Sequence, residues 1–185
     1  MALAEVGLGV KVRRAAQLLL LKSHRLPGVK GWELRRSIGP DYVKVLKALD
    51  SYLEQIGLGV KVVDDLGNTL SFSDDESKLS TSRFYVTLRD PLRTSEVRTA
   101  GWSIDELAGL TVALASLISR GGKANRKDVE EILAEKFPTW KAQLHLSRYV
   151  KAGYLREEGE VLTLGWRTYA EIDIEKFMQY VLGAK

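Results

Sequence analysis

The sequence predicts an α+β protein, mainly helical, built as tandem winged-helix domains. Three observations predict it. The order helix, short helix, longer helix, two-stranded hairpin is written twice along the 185 residues. Each copy is punctuated alike, with Gly57 and Gly153 closing the long helix before its hairpin. The chain is 45% apolar, enough for two small cores.

The first helix is predicted from Val10 to Ser23, where Val10, Val12, Ala15, Ala16 and Leu18 to Leu20 give a broad apolar face. Leu26-Pro27-Gly28 stops it. Trp32, Leu34 and Ile38 mark a short second helix ending at Gly39, and Pro40 opens the third within its first turn. Val43, Leu46, Leu49, Leu53 and Ile56 form the third helix's apolar stripe, opposite Lys44, Lys47 and Asp50. Val60–Val63 and Phe84–Leu88 read as strands. Between them, residues 64–82 are rich in Ser, Asp and Gly without an apolar period, which predicts a long, mobile wing. A polar stretch from Arg89 to Gly101 holds the boundary, so domain A is assigned to residues 1–92, the linker to 93–101 and domain B to 102–185.

In domain B, Ser103 and Glu106 have the spacing of a capping box for a helix through Ile118, ended by Gly121-Gly122. Asn125 is placed to cap a short helix carrying Val129, Ile132 and Leu133. Pro138-Thr139 starts the long helix. Tyr154–Arg156 and Val161–Leu164 form a hairpin around Glu157-Glu158-Gly159-Glu160, and one final helix is predicted from about Thr168 to Val181.

Charge is uneven. Residues 1–63 hold 11 Lys or Arg against 5 Asp or Glu, residues 64–98 hold 5 against 7, and the remainder 12 against 12. The first domain therefore carries the positive field, which permits a nucleic-acid partner. Zero cysteines exclude disulfides, thiolate nucleophiles, zinc ribbons and RING fingers. The longest aliphatic run, Ala15 to Leu21 broken by Gln17, is far short of the roughly 20 residues that span a bilayer. The amino terminus has Glu5 where a secretory signal wants basic residues, so no membrane association and a cytoplasmic location are expected.

No catalytic, cofactor or metal site is expected. Gly-Leu-Gly-Val-Lys-Val occurs at residues 7–12 and 57–62, but Val12 and Val62 stand where a dinucleotide fingerprint needs its third glycine. His24 and His145 lack metal-ligand spacing and are expected on helix surfaces. Asp64-Asp65, Asp74-Asp75-Glu76 and Glu157-Glu158-Glu160 read as solvated loop acids. Basic residues are the binding candidates, because the third helix of a winged helix can enter a major groove. Domain A offers Arg35, Arg36, Lys44 and Lys47, with Arg13 and Arg14 on its first helix. Domain B offers Lys141, Arg148 and Lys151 with Gln143, approached by Lys123, Arg126 and Lys127, whose charges oppose the dipole of a helix start and so hint at an external anion. Trp32, Trp140 and Trp166 are either core residues or anchors for a protein partner.

Leu18 to Leu34, running Leu-Leu-Leu-Leu-Lys-Ser-His-Arg-Leu-Pro-Gly-Val-Lys-Gly-Trp-Glu-Leu, resembles the opening of the MAGE homology domain. Gly165-Trp166-Arg167-Thr168-Tyr169-Ala170-Glu171 resembles that domain's closing Gly-Pro-Arg-Ala-x-x-Glu signature, with Trp166 in place of the proline. The hairpin before it is equally similar to the winged-helix part of the first non-SMC element, without that protein's RING finger. Both belong to the kleisin-interacting tandem winged-helix (KITE) group. The resemblance implies a non-catalytic subunit of an SMC complex, a homo- or heterodimer with a paralogous winged-helix subunit, binding to the kleisin, and chromosome association with contact to double-stranded DNA of low sequence specificity. The alternative to this leading reading is a dimeric winged-helix DNA-binding transcription regulator, which needs base-specific contacts rather than salt-sensitive phosphate contacts.

Overall fold

The computed structural model describes residues 2–21, 27–90, 101–181 and 183. The chain divides into two compact units, Met1–Pro91 and Leu92–Lys185. Each has the α+β winged-helix order.

In the first unit, α1 (Ala2–Ala16) runs into a π-helical turn, Gln17–Leu21, followed by β1 (Val29–Lys30), α2 (Gly31–Ile38) and α3 (Tyr42–Glu54). β2 (Leu58–Val63), β3 (Thr69–Leu70), α4 (Glu76–Thr81) and β4 (Arg83–Leu88) complete it. The antiparallel sheet has the order β1-β4-β2-β3, with Val60 opposite Val86 and Val62 opposite Phe84. Leu34, Val45, Leu46 and Phe84 are fully enclosed between helices and sheet, the burial of each such side chain contributing about 1.5–3 kcal/mol.

The first helix begins earlier than its apolar period suggests, because Gly7 and Gly9 are carried inside it. Residues 22–26, including His24 and the middle of the opening MAGE-like segment, lie outside the described residues. Ile56 falls beyond α3 and is exposed, while Tyr42 and Val45 take the inward positions. The wing differs most from expectation. Asp75 caps α4 by accepting the Ser77 N–H, and Leu79 is buried in the core at 2% exposure. Its acids are occupied rather than merely solvated. Asp64 accepts the N–H groups of Leu66 and Asn68, Asp74 accepts that of Ser71, and Asp65 pairs with Lys30 at 2.7 Å. One apolar side chain within a run of Asx and Ser turns fastens the segment, a pattern too short to register as a period. α2 packs against α4 so closely that a Cβ on Gly31 would lie 2.1 Å from the Leu79 carbonyl oxygen.

The second unit consists of α5 (Ile104–Ser119), β5 (Lys123–Asn125), α6 (Arg126–Ala134), α7 (Thr139–Ala152), β6 (Leu155–Glu158), β7 (Val161–Leu164), α8 (Trp166–Glu171) and α9 (Ile174–Val181). Its sheet has the order β5-β7-β6, all antiparallel. The capping box forms as the spacing implies: Glu106 N–H donates to Ser103 Oγ and Ser103 N–H to Glu106 Oε2. Asn125 precedes α6 without a side-chain cap and belongs to β5 instead. The predicted final helix is two. Ile172 is extended, and Asp173 restarts the chain by accepting the Lys176 N–H on its side chain and the Phe177 N–H on its carbonyl. A short acid that competes for local N–H groups breaks a helix that propensity alone would continue.

Candidate nucleic-acid and partner interfaces

The long third helices, α3 and α7, expose ridges of different chemistry. Around α3, the buried stripe Tyr42, Val45, Leu46, Leu49 and Leu53 turns Lys44, Lys47, Ser51 and Gln55 to solvent. Lys44 and Lys47 form no ion pair among the described residues, and the small side chains of Ala48 and Ser51 follow them one turn on. Asp50 is not part of this ridge. Its carboxylate accepts the Val60 N–H at 2.7 Å and pairs with Arg89 at 3.1 Å, tying α3 to the sheet. On α2, Arg36 is exposed, whereas Arg35 pairs with Glu76 of the wing at 3.0 Å.

On α7 the basic candidates are turned aside. Lys141 pairs with Asp105 at 2.6 Å and lies over the Phe137 ring. Arg148 pairs with Glu106, donates to the Gly101 carbonyl and stacks on Trp102. On the other flank, Gln143 reaches Glu130 and Ser147 receives Arg126. Gln143 and Arg148 are exposed but engaged in these contacts, which leaves Trp140 at 66% exposure, Leu144 at 58% and Lys151 as outward side chains available to a partner. This ridge is mainly apolar, an interface chemistry rather than a groove-reading one.

The carboxylates opposite Lys141 and Arg148 respond to them. The Lys141 hydrogen bond and charge hold Asp105 below the ordinary aspartate value. Burial alone would raise Glu106, but the Ser103 N–H and hydroxyl and the Arg148 charge outweigh it and hold that carboxyl low. His145 is buried beneath them, between Phe137 and Tyr149, at 3% exposure rather than on the helix surface. Its Nδ1 has no hydrogen-bond partner, and burial pushes its pKa down. A histidine at one position of an amphipathic period reads as polar, which is why its enclosure was not legible.

At the start of α6, the Arg126 charge is answered from within: it pairs with Glu157 at 2.8 Å, and its N–H donates to the Glu160 carbonyl at 2.7 Å. The concavity here is lined by Arg126 and Lys127 together with Asp128, Glu130 and Glu160, so its carboxylates outnumber its cations and oppose an anion. Lys123 lies on β5, not on the helix; it and Lys127 are exposed. Of the tryptophans, Trp32 is 50% exposed, while Trp166 is part-buried against Gly153. Among the described residues, no group of three or more acidic or histidine side chains is placed to hold a metal ion, and no helix is long and apolar enough to cross a membrane.

The closing motif forms one bonded unit. A Cβ on Gly165 would lie 2.2 Å from the Gly153 carbonyl oxygen, so only glycine allows this approach. Thr168 Oγ1 donates to the Tyr154 carbonyl at 2.6 Å, and Glu171 accepts both Arg167 Nε at 2.7 Å and the Tyr154 hydroxyl at 2.6 Å. Trp166 occupies the first position of α8, where the proline of the MAGE signature would also fit a helix. The motif is thus a device for folding the carboxyl-terminal segment onto the hairpin.

No family model and no curated protein matches the chain. A chain of a solved Nse1-Nse3-Nse4 complex superposes on it with a TM-score of 0.66 at 12% identity, covering 94% of this chain and 74% of that one. The two share a fold.

Proposed function

We propose that this protein is a non-catalytic subunit of an SMC-type chromosome-organising complex, binding a kleisin or a partner winged-helix subunit and contacting double-stranded DNA with low sequence specificity. The observation that carries this reading is the likeness of fold, over 94% of the chain, to a chain of the Nse1-Nse3-Nse4 complex. The closing Gly165, Arg167 and Glu171 motif, which resembles the MAGE signature, supports it independently of that superposition.

In this reading the two ridges divide the work. Lys44 and Lys47 of α3, with Arg36, face phosphates, and Lys123, Lys127 and Lys151 supply weaker secondary contacts. Trp140 and Leu144 on α7 face the protein partner, with Trp32 a second anchor. Large exposed aromatics are the residues that most often carry binding energy in interfaces. Lys141 and Arg148 belong to the framework of the second unit rather than to the DNA contact.

The test is affinity purification of the tagged protein from its native cells at moderate salt, followed by mass spectrometry. Recovery of an SMC ATPase or a kleisin supports the proposal; recovery of RNA polymerase, with a footprint at one promoter, overturns it in favour of a dimeric transcription regulator. The basic α3 ridge is the feature that such a regulator would use.

A further inference from the structure

We infer that Arg14 of α1 joins Lys11, Lys44 and Lys47 in one cradle around the α2–α3 turn, which holds the phosphodiester backbone of double-stranded DNA; the inference rests on the nucleic-acid reading of the first unit.

The cradle is organised by Asp41. Lys11 Nζ reaches both Asp41 oxygens, at 2.7 and 2.8 Å, and so brings α1 onto the residue that precedes α3. The Lys11 hydrogen bond holds the Asp41 carboxyl low, and the Lys44 charge acts on it as well. Among the described residues Asp41 is ion-paired to Lys11 alone, so Lys44, whose charge reaches the same carboxylate without forming a pair to it, keeps its own charge for a ligand. Both partners of the Lys11–Asp41 pair are about 40% exposed, at 39% and 43%, so a phosphate can replace the carboxylate without opening the core.

Helical geometry then separates the two adjacent arginines of α1. The inner face is fixed by buried Ala15 and the part-buried Leu8, Val12 and Ala16. At about 100° per residue, Arg14 lies roughly 60° from Lys11 on the same flank, whereas Arg13 lies roughly 160° away on the other. Both are exposed and neither forms an ion pair among the described residues. Arg14 extends the Lys11 side toward solvent; Arg13 does not. Sequence alone, which presents Arg13-Arg14 as one basic pair, gives them equal standing.

The experiment uses the full chain and a fluorescein-labelled 24-base-pair duplex of mixed sequence, with anisotropy titrations over a range of KCl concentrations. Arg14→Gln is expected to weaken binding and to lower the slope of log affinity against log salt by about one, and Lys44→Gln with Lys47→Gln to lower it by about two. Arg14→Lys should restore the slope, and Arg13→Gln should match the wild type. Circular dichroism confirms that each variant is folded. If Arg14→Gln binds as the wild type does, or Arg13→Gln loses as much, the cradle is overturned while the α3 reading stands. If the double lysine variant also binds unchanged, the nucleic-acid reading itself fails.

Discussion

Arg148 of α7 is turned back onto Glu106 of α5, and its guanidinium lies 4.8 Å from the centre of the Trp102 ring. A cation on the third helix of a winged helix thereby becomes an internal brace. Arg148→Met is expected to destabilise the second unit by about 1–2 kcal/mol, from the lost charge-assisted and cation–π contacts, and to leave DNA affinity unchanged. Urea denaturation and duplex titration measure the two effects. Unchanged stability with weakened DNA binding would return Arg148 to the interface.

Gly109 sits under the same cluster. A Cβ there would lie 2.5 Å from the Tyr149 hydroxyl and 3.2 Å from His145 Nδ1. The Tyr149 hydroxyl donates to the Glu106 carbonyl at 2.6 Å, so an added methyl would dislodge that bond. In an open helix interior, Gly→Ala stabilises by about 1 kcal/mol. Here the sign should reverse, with Gly109→Ala losing about 1–3 kcal/mol through overpacking. A raised melting temperature would show that the cluster has slack.

Stability of the second unit should fall as the solution is acidified, in two stages. The pKa of His145 is pushed down by its burial, despite Glu106 and Asp105, which favour the cation; Lys141 and Arg148 oppose it. The unfolded histidine therefore takes up a proton that the folded one resists. Its contribution is complete above the ordinary value of 6.5 and is lost as pH falls from there toward the folded value. Glu106, held below its ordinary 4.5, adds a second loss at lower pH as its carboxylate is neutralised. In urea titrations between pH 7.5 and 5, His145→Leu should show a flatter pH dependence than the wild type. Parallel curves would mean that His145 titrates normally.

The wing of the first unit is predicted to behave as structure. Leu79→Ala removes a side chain buried at 2% exposure and should cost about 2–4 kcal/mol. The amide hydrogens of Leu79 and Ser82, which donate to the Asp75 carbonyl before α4 and the Lys78 carbonyl within it, should exchange slowly in the wild type and quickly in this variant. Rapid exchange in both would indicate that α4 opens independently of the core.

Replacing Trp140 and Leu144 with serine should leave stability within about 0.5 kcal/mol, since both are more than half exposed. Recovery of the protein partner in affinity purification should be lost. Retention of the partner would move the contact to another surface, with Trp32 the next to be replaced.

Elements whose signals are periodic or locally chemical could be read directly from the residues. The apolar stripe of α3 and the capping box of α5 need only neighbours within a turn or two, and the glycines at 57 and 153 both take the positive φ that helix ends favour. The closing motif could likewise be read as a resemblance, although its physical basis, Arg167 and Tyr154 sharing Glu171, emerges only when α8 meets the hairpin. Tertiary structure decided everything that depends on partners distant in the chain. β1 and β5 are two and three residues long and exist because β4 and β7 pair with them. The site divides in the same way. Lys44 and Lys141 look equivalent as cations on third helices, but only Lys141 finds a carboxylate, Asp105, 36 residues away. Whether a charge is available to a ligand is set by what folds against it, and that information is not local to the residue that carries it.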